Sequence, residues 1–333
     1  MTVLVTGASG VVGSHLVRHL ASQGVAVVGC DLVPPRGEVV PNGRNQFFRG
    51  DVRDLAFLLQ TLQATGADRV VHLAGMLGEA CASWPAEALE VNVKGMLNVF
   101  EAARFAGARR VVFASTRTVL PDFTGTPYGY PTHAPVTEDV PPSPRRPYEV
   151  MKYANEQLGR FYRERHGLET IALRFSMMFS PERARLLAAG PAGDTAGFAR
   201  RSAAPLHQMI WAAAFGGRAR VGGGERLLDL AYVKDIARGI ALVCTVPGAP
   251  SALYHLGSGR LCSVGEIADT LRVLSPAADI QVSPGIDFGV GHFCLLSIQR
   301  AVAELGYEPA PTLESGVRDC VEELRRPAAS GDR

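Results

Sequence analysis

Lysine is nearly absent from this 333-residue chain: of 34 basic residues only Lys94, Lys152 and Lys234 are lysines. A lysine at a motif position therefore carries more information here than in a chain of average composition. Cysteine is present but never clustered. Cys30, Cys81, Cys244, Cys262, Cys294 and Cys320 stand singly, with no Cys-x-x-Cys pair, which argues against zinc clusters and against a disulfide framework. No metal is expected. No stretch approaches the roughly 18 consecutive apolar residues that a membrane-spanning helix requires. The N-terminus, Met1-Thr2-Val3-Leu4-Val5-Thr6-Gly7, shows neither a basic leader nor a cleavage site, so a cytoplasmic protein is the expectation. A large charge excess is missing as well. The formal net charge is +2, too small for a chain built around nucleic acid or an anionic membrane surface.

Apolar side chains are plentiful. They make up 47% of the chain against 20% charged residues, which excludes disorder as the main state and supplies a sizeable core. The length fits about two domains, or one α/β unit with a smaller lobe. Short β-branched runs alternate with helical patterns through the first half. Strands are read at 3–6, 25–30, 69–73, 111–115 and 171–175, and helices at 12–23, 54–63 and 84–106. That rhythm implies βαβ units: a Rossmann-type doubly wound parallel sheet over residues 1–175. Residues 176–326 are expected to form mainly a smaller substrate lobe, with some segments returning to the sheet. The segment 121–147 is rich in Pro and Gly and reads as a long loop of the kind that is often functional or mobile. A second interruption covers 181–226, with Gly-Pro-Ala-Gly at 190–193. The chain beyond Val264 reads as mostly helical, with a disordered tail at 327–333.

Two motifs carry chemistry. The first is Gly7-Ala8-Ser9-Gly10-Val11-Val12-Gly13, which follows a strand and opens a helix. Gly7 permits the tight turn, Gly10 lets backbone N–H groups approach a pyrophosphate, and Gly13 lets the helix pack on the strand. The helix N-terminus then faces the phosphates. The next strand ends at Asp31, 18 residues after Gly13. A carboxylate there accepts the adenosine ribose hydroxyls and repels a 2′-phosphate, which favours NAD over NADP, although Arg36 lies close behind.

The second motif is Tyr148-Glu149-Val150-Met151-Lys152, which puts a phenol and an ammonium at i and i+4 on one helix face. With eight tyrosines and three lysines, about 0.07 such matches are expected by chance. A phenol titrates near 10 in water, and a neighbouring cation favours its ionised form. Tyr148 could then take the proton of a substrate hydroxyl while hydride leaves the adjoining carbon.

These motifs, together with Asp51-Val52, His72-Leu73-Ala74-Gly75, Asn92 and Ser115-Thr116, resemble the extended short-chain dehydrogenase/reductases, in particular the NAD-dependent epimerase/dehydratase family. The resemblance is dense to residue 175 and thinner to about 320. It implies that Asp51 and Val52 meet the adenine, that Leu73, Ala74 and Gly75 line the cofactor, and that Asn92 supports the floor of the site. It implies that Ser115 and Thr116 close the central strand, with Thr116 holding the reacting oxygen. Tyr148 is then the acid–base residue, Lys152 holds the nicotinamide ribose, and Phe175 lies beside the nicotinamide. Homodimers are common in the family through two helices per subunit. His72 reads as a packed strand histidine.

The chain also departs from the family. Met177 stands where an asparagine touches a diphosphate, Leu228 where an arginine binds phosphate, and Arg117-Thr118 where sugar-nucleotide dehydratases carry Asp-Glu. Between Arg174 and Arg226 lie eight arginines (174, 183, 185, 200, 201, 218, 220 and 226) against three acids, a local excess of +5. Guanidinium groups suit phosphate and carboxylate, so a small-molecule substrate of anionic character is one reading, with Arg174, Met177, Arg183 and Arg226 the substrate-side candidates. Three functions stay open: epimerisation of a sugar or sugar nucleotide, dehydrogenation of a free sugar, sugar acid or other polyol, and non-catalytic sensing of NAD.

Overall fold

A computed structural model describes residues 1–35, 45–188, 204–286, 294–309 and 312–326. Arg36, Arg200, Arg201, the 190–193 turn and the 327–333 tail lie outside the described residues.

The strands are β1 (Thr2–Thr6), β2 (Ala26–Asp31), β3 (Gln46–Arg49), β4 (Arg69–His72), β5 (Arg110–Ala114), β6 (Glu169–Phe175), β7 (Met177–Phe179), β8 (Arg218–Val221), β9 (Leu227–Tyr232), β10 (Leu253–Leu256), β11 (Leu261–Ser263) and β12 (Asp279–Val282). Seven of them form one sheet in the order β10-β6-β5-β4-β1-β2-β3. Every pairing in it is parallel. Through β6 this is the doubly wound dinucleotide-binding order, and it reverses between β1 and β4. β10, from the C-terminal half, adds the seventh strand.

The helices that matter for the site are α1 (Val11–Ser22), α2 (Leu55–Thr65), α3 (Gly78–Ser83), α4 (Pro85–Leu89), α5 (Gly95–Phe105), α6 (Pro147–His166) and α7 (Pro181–Ala188). Both faces of the sheet are covered, as the β-branched strands require. One apolar core joins the sheet to α1 through Leu16, Val17 and Leu20 and to the helix Val233–Thr245 through Ile236 and Ile240. The other joins it to α2, α5 and α6 through Leu58, Phe100 and Tyr162. Phe100 packs edge-on against Phe113 and stacks on Tyr162. A third core, with Phe179, Ile210, Leu230 and Ile267, belongs to the smaller lobe. Val11 and Val12 of α1 pack against it and so join the two halves.

Three sequence expectations change. The helical pattern at 84–106 breaks into α4, a π-helical turn at Glu90–Lys94, and α5. The 121–147 loop lacks regular structure but is not loose. Val136 bridges Leu296, donating to the Leu295 carbonyl at 2.8 Å and accepting from the Ser297 amide at 2.8 Å. Around that bridge, Val119, Leu120, Phe123, Val136, Cys294 and Leu296 bury one another. The C-terminal region contains β12, paired with β8, besides its helices.

Candidate active site

The glycine turn sits at the switch point of the sheet. Gly7 has φ +72°, and a Cβ there would lie 2.6 Å from the Ala74 amide nitrogen. A Cβ on Gly13 would lie 2.0 Å from the Gly7 carbonyl oxygen. Only glycines allow β1, α1 and the β4 turn to approach this closely. Gly10 begins α1 with no side-chain cap, and the first turn of α1 holds no acid. Its free N–H groups and partial positive charge suit a pyrophosphate. Asp31 ends β2 and accepts from the Ser9 amide at 3.0 Å, which brings its carboxylate to the rim of the same turn. These residues fit NAD.

Asp51 and Val52, expected at the adenine, follow β3. Asp51 is bonded to Arg53 at 2.6 and 2.9 Å, which holds its carboxyl below the usual range. Val52 is buried, and its carbonyl accepts from Asn98 Nδ2 at 3.1 Å. Beyond β4, Leu73, Ala74 and Gly75 form the wall facing Gly7. The π-helical turn aims Asn92 at that wall. Its Oδ1 accepts from the Met76 amide at 2.8 Å and its Nδ2 donates to the Met76 carbonyl at 3.0 Å. His72 is packed and neutral as expected: its Nδ1 meets Thr6 Oγ1 at 2.8 Å, and burial pushes it down to about 3.

Helix α6 starts where the long loop ends. Pro147 occupies its first turn, and the Glu149 carboxylate accepts from the amides of Arg145 and Arg146 at 2.9 and 3.0 Å. This cap fixes Tyr148 in the first turn and Lys152 in the second, facing β5. The buried Lys152 Nζ donates to the Ala114 carbonyl at 2.9 Å and lies 5.7 Å from the centre of the Tyr148 ring. Burial pushes Lys152 down to about 8. The Tyr148 ring packs against the small buried cluster of Cys81, Ala88 and Met151, and burial raises its phenol above the ordinary value.

The two residues after β5 have different partners. Ser115 Oγ donates to Glu156 at 2.5 Å, whereas among the described residues Thr116 Oγ1 meets Thr118 alone, at 3.0 Å from its hydroxyl and 3.2 Å from its amide. Thr116 is therefore the hydroxyl of the pair that remains at the strand mouth. Glu156 also accepts a fork from Arg174, at 2.9 and 2.7 Å. Arg174, a substrate candidate by sequence, is instead committed to an interior ion pair.

Met177 is buried in the core of the smaller lobe together with Leu228, so neither presents a polar contact. Phe175 is buried at the end of β6, in the core that packs on α1. Arg226 is buried just ahead of β9. Arg183, in the first turn of α7, is half-buried, and burial lowers its guanidinium from the usual value. Next to it, Glu182 accepts from His15 at 3.0 Å, and Glu323 converges on the same point. Arg18 at 3.0 Å from His15 and Lys234 at 2.7 Å from Glu323 make this an ion-pair network tying α7 to α1.

Glu156, Asn98 and Asn155 were not picked out from sequence. Glu156 continues the spacing of Tyr148 and Lys152 by another four residues, so helical periodicity held a signal. Asn155 Nδ2 donates to the Asn92 carbonyl at 2.8 Å, and no local pattern marks that contact.

A glycine turn at the switch point of a doubly wound parallel sheet, with a tyrosine and a lysine on one face of α6, fits an NAD-dependent oxidoreductase fold. The chain belongs to the NAD dependent epimerase/dehydratase family, whose profile matches residues 3–257. It is similar to the UDP-glucose 4-epimerase of Azospirillum brasilense, 31% identical over 301 residues that cover 85% of this chain and 81% of that protein. Its structure is similar to that of Thermus thermophilus UDP-glucose 4-epimerase in complex with NAD, with TM-score 0.77 and 27% identity over 98% of this chain and 99% of the other. Thermotoga maritima UDP-glucose 4-epimerase with UDP-glucose gives TM-score 0.78 and 25% identity at the same coverage. The chain is an NAD-dependent enzyme of the short-chain dehydrogenase/reductase type. The dehydrogenase and sensor readings are not favoured by these likenesses.

Proposed function

We propose that this enzyme epimerises a sugar nucleotide at a secondary alcohol. The observation that carries the reading is the placement of Tyr148 and Lys152 on one face of α6, at the mouth of a crevice built to hold a dinucleotide. The proposed holders of NAD are Gly7, Gly10, Val11, Val12 and Gly13 at the pyrophosphate and Asp31 at the adenosine ribose. Asp51 and Val52 lie at the adenine. Leu73, Ala74, Gly75, Asn92, Ser115 and Phe175 form the walls, and Lys152 reaches the nicotinamide ribose. NAD held there would supply a reversible hydride acceptor for the carbinol carbon. Thr116 donates to the reacting oxygen. Tyr148 accepts the hydroxyl proton as the carbonyl forms and gives it back on return, so no NADH accumulates.

The anionic part of the substrate is assigned to Arg226 and Arg183. With Met177 and Leu228 buried, the diphosphate contacts are expected from these arginines. Residues 1–175 hold the cofactor and 176–326 mainly the substrate. A second copy of the chain is assigned to α5 and α6, supported by exposed Phe105, Val150 and Phe161. Light scattering at the mass of two chains tests that arrangement. The proposed location is the cytoplasm; among the described residues no helix is long and apolar enough to cross a membrane.

The test of function is to incubate the purified protein with NAD and either UDP-glucose or UDP-galactose. Chromatography should show interconversion without lasting growth of NADH absorbance at about 340 nm. Steady NADH growth would point to net dehydrogenation, and NAD binding without any product would point to a sensor. An unchanged KM in Arg226→Ala would remove that residue from the substrate.

A further inference from the structure

Asn155 is a polar residue in a dry place. It lies on α6, three residues after Lys152, and is 1% exposed. Its Nδ2 donates to the Asn92 carbonyl at 2.8 Å, and among the described residues its buried Oδ1 has no hydrogen-bond partner. Only the NH₂ end of the amide can pair with a carbonyl, which fixes its orientation. A buried acceptor left unpaired is destabilising, and an apolar side chain of similar size would avoid that penalty. What such a side chain could not supply is the bond to the π-helical turn Glu90–Lys94.

That turn reaches the wall of the cofactor crevice. π-helical turns are rare and recur at functional sites. Here the turn presents Asn92 to the segment after β4. Asn92 Oδ1 accepts from the Met76 amide at 2.8 Å, and Nδ2 donates to the Met76 carbonyl at 3.0 Å and to Cys81 Sγ at 3.3 Å. Gly75 lies between this amide and the lysine: a Cβ on it would stand 2.8 Å from Asn92 Oδ1 and 3.7 Å from Lys152 Nζ. Asn155, Asn92 and Met76 are thus joined by hydrogen bonds of 2.8 to 3.0 Å, from the helix that carries Tyr148 and Lys152 to the wall after β4. Asn92 is also 1% exposed, so bulk water does not compete for these bonds.

We infer that Asn155 is a positioning residue for the nicotinamide half of NAD. It holds the π-helical turn against α6, the turn holds Asn92, and Asn92 sets the Gly75–Met76 wall beside Lys152. Without the Asn155 bond the Asn92 carbonyl loses its partner on α6, and wall and lysine no longer share one frame. The inference rests on the assignment of Gly75, Asn92 and Lys152 to NAD made above. It does not depend on which alcohol is epimerised.

The test compares NAD with ADP, which lacks the nicotinamide ribose, by calorimetric titration of the full chain. Asn155→Leu is close to asparagine in size and deletes the amide. It should weaken NAD by about five- to tenfold and leave ADP within about twofold of wild type. Unchanged NAD affinity overturns the inference. So does an equal loss for both ligands, the mark of a general loosening of the fold. Asn92→Ala should weaken NAD as well, and adding Asn155→Leu to it should bring no more than about a further twofold, because Asn155 acts through Asn92. Losses that multiply in full contradict the inference. If Asn155→Leu does not fold, Asn155→Ala deletes the same donor with a smaller side chain. An Asn92→Ala protein that binds NAD like wild type would sink the wall assignment and this inference with it. No step needs a sugar nucleotide, so failure of UDP-glucose and UDP-galactose to interconvert would count against the proposed reaction and leave the Asn155 result to stand or fall separately.

Discussion

Arg174 and Glu156 form a two-bonded ion pair, at 2.9 and 2.7 Å, beneath the turn that carries Thr116. Both partners are almost wholly buried. The pair draws in the Ser115 hydroxyl and so separates the two adjacent hydroxyl residues after β5 into one interior group and one at the mouth of the site.

Removing one partner of such a pair leaves an uncompensated buried charge. Glu156→Ala is expected to cost about 3–5 kcal/mol of stability, read by urea denaturation. A double change of Arg174 and Glu156 to methionine should recover a large part of that loss. A Glu156→Ala protein as stable as wild type would contradict the burial argument.

Tyr148→Phe keeps the ring and deletes only the titrating oxygen. Turnover should fall by about 10²–10⁴-fold, the usual weight of a general acid–base group, with NAD affinity within a few-fold of wild type. Stopped assays and calorimetric NAD titration check the two halves separately. Near-normal turnover would remove Tyr148 from the chemistry.

Gly13→Ala puts a methyl 2.0 Å from the Gly7 carbonyl oxygen. Backbone on both sides must move, and the N–H groups at the start of α1, proposed above to hold the pyrophosphate, move with it. NAD affinity should drop at least tenfold, measured by fluorescence titration, together with a lower Tm. Gly24→Ala supplies a control: it has open space around the new methyl and φ +74°, so it should lower Tm through backbone strain and leave NAD affinity unchanged.

Acid should destabilise the protein through its buried histidines. Burial pushes His72 and His255 each down to about 3. Between that value and the unfolded value near 6.5, the unfolded chain binds protons that the folded chain does not. Stability therefore falls as pH drops through this window, by up to about 1.4 kcal/mol per pH unit for each histidine. Denaturation midpoints at pH 7 and pH 4 should lie closer together in His72→Gln than in wild type.

Much of the site could be read before folding was considered, because it depends on short-range geometry. Gly7 must adopt a positive φ, Gly13 must lack a side chain, and Tyr148 and Lys152 share a face at one helical turn. Each condition is written in spacing alone. The strands β7, β9 and β11 were not legible, since their short apolar runs look like those of any core segment. Arg174 was misread for a related reason: an arginine facing a ligand and an arginine facing Glu156 have the same local sequence.

By itself, the sequence determined the glycine turn after β1, the carboxylate at the end of β2 and the tyrosine–lysine pair, all set by bonds within a few residues. Only the tertiary structure decided which hydroxyl after β5 is drawn into the interior and which arginines are spent on interior carboxylates. Those outcomes depend on partners that chain folding brings together from distant segments, where packing and the cost of burying charge select the match.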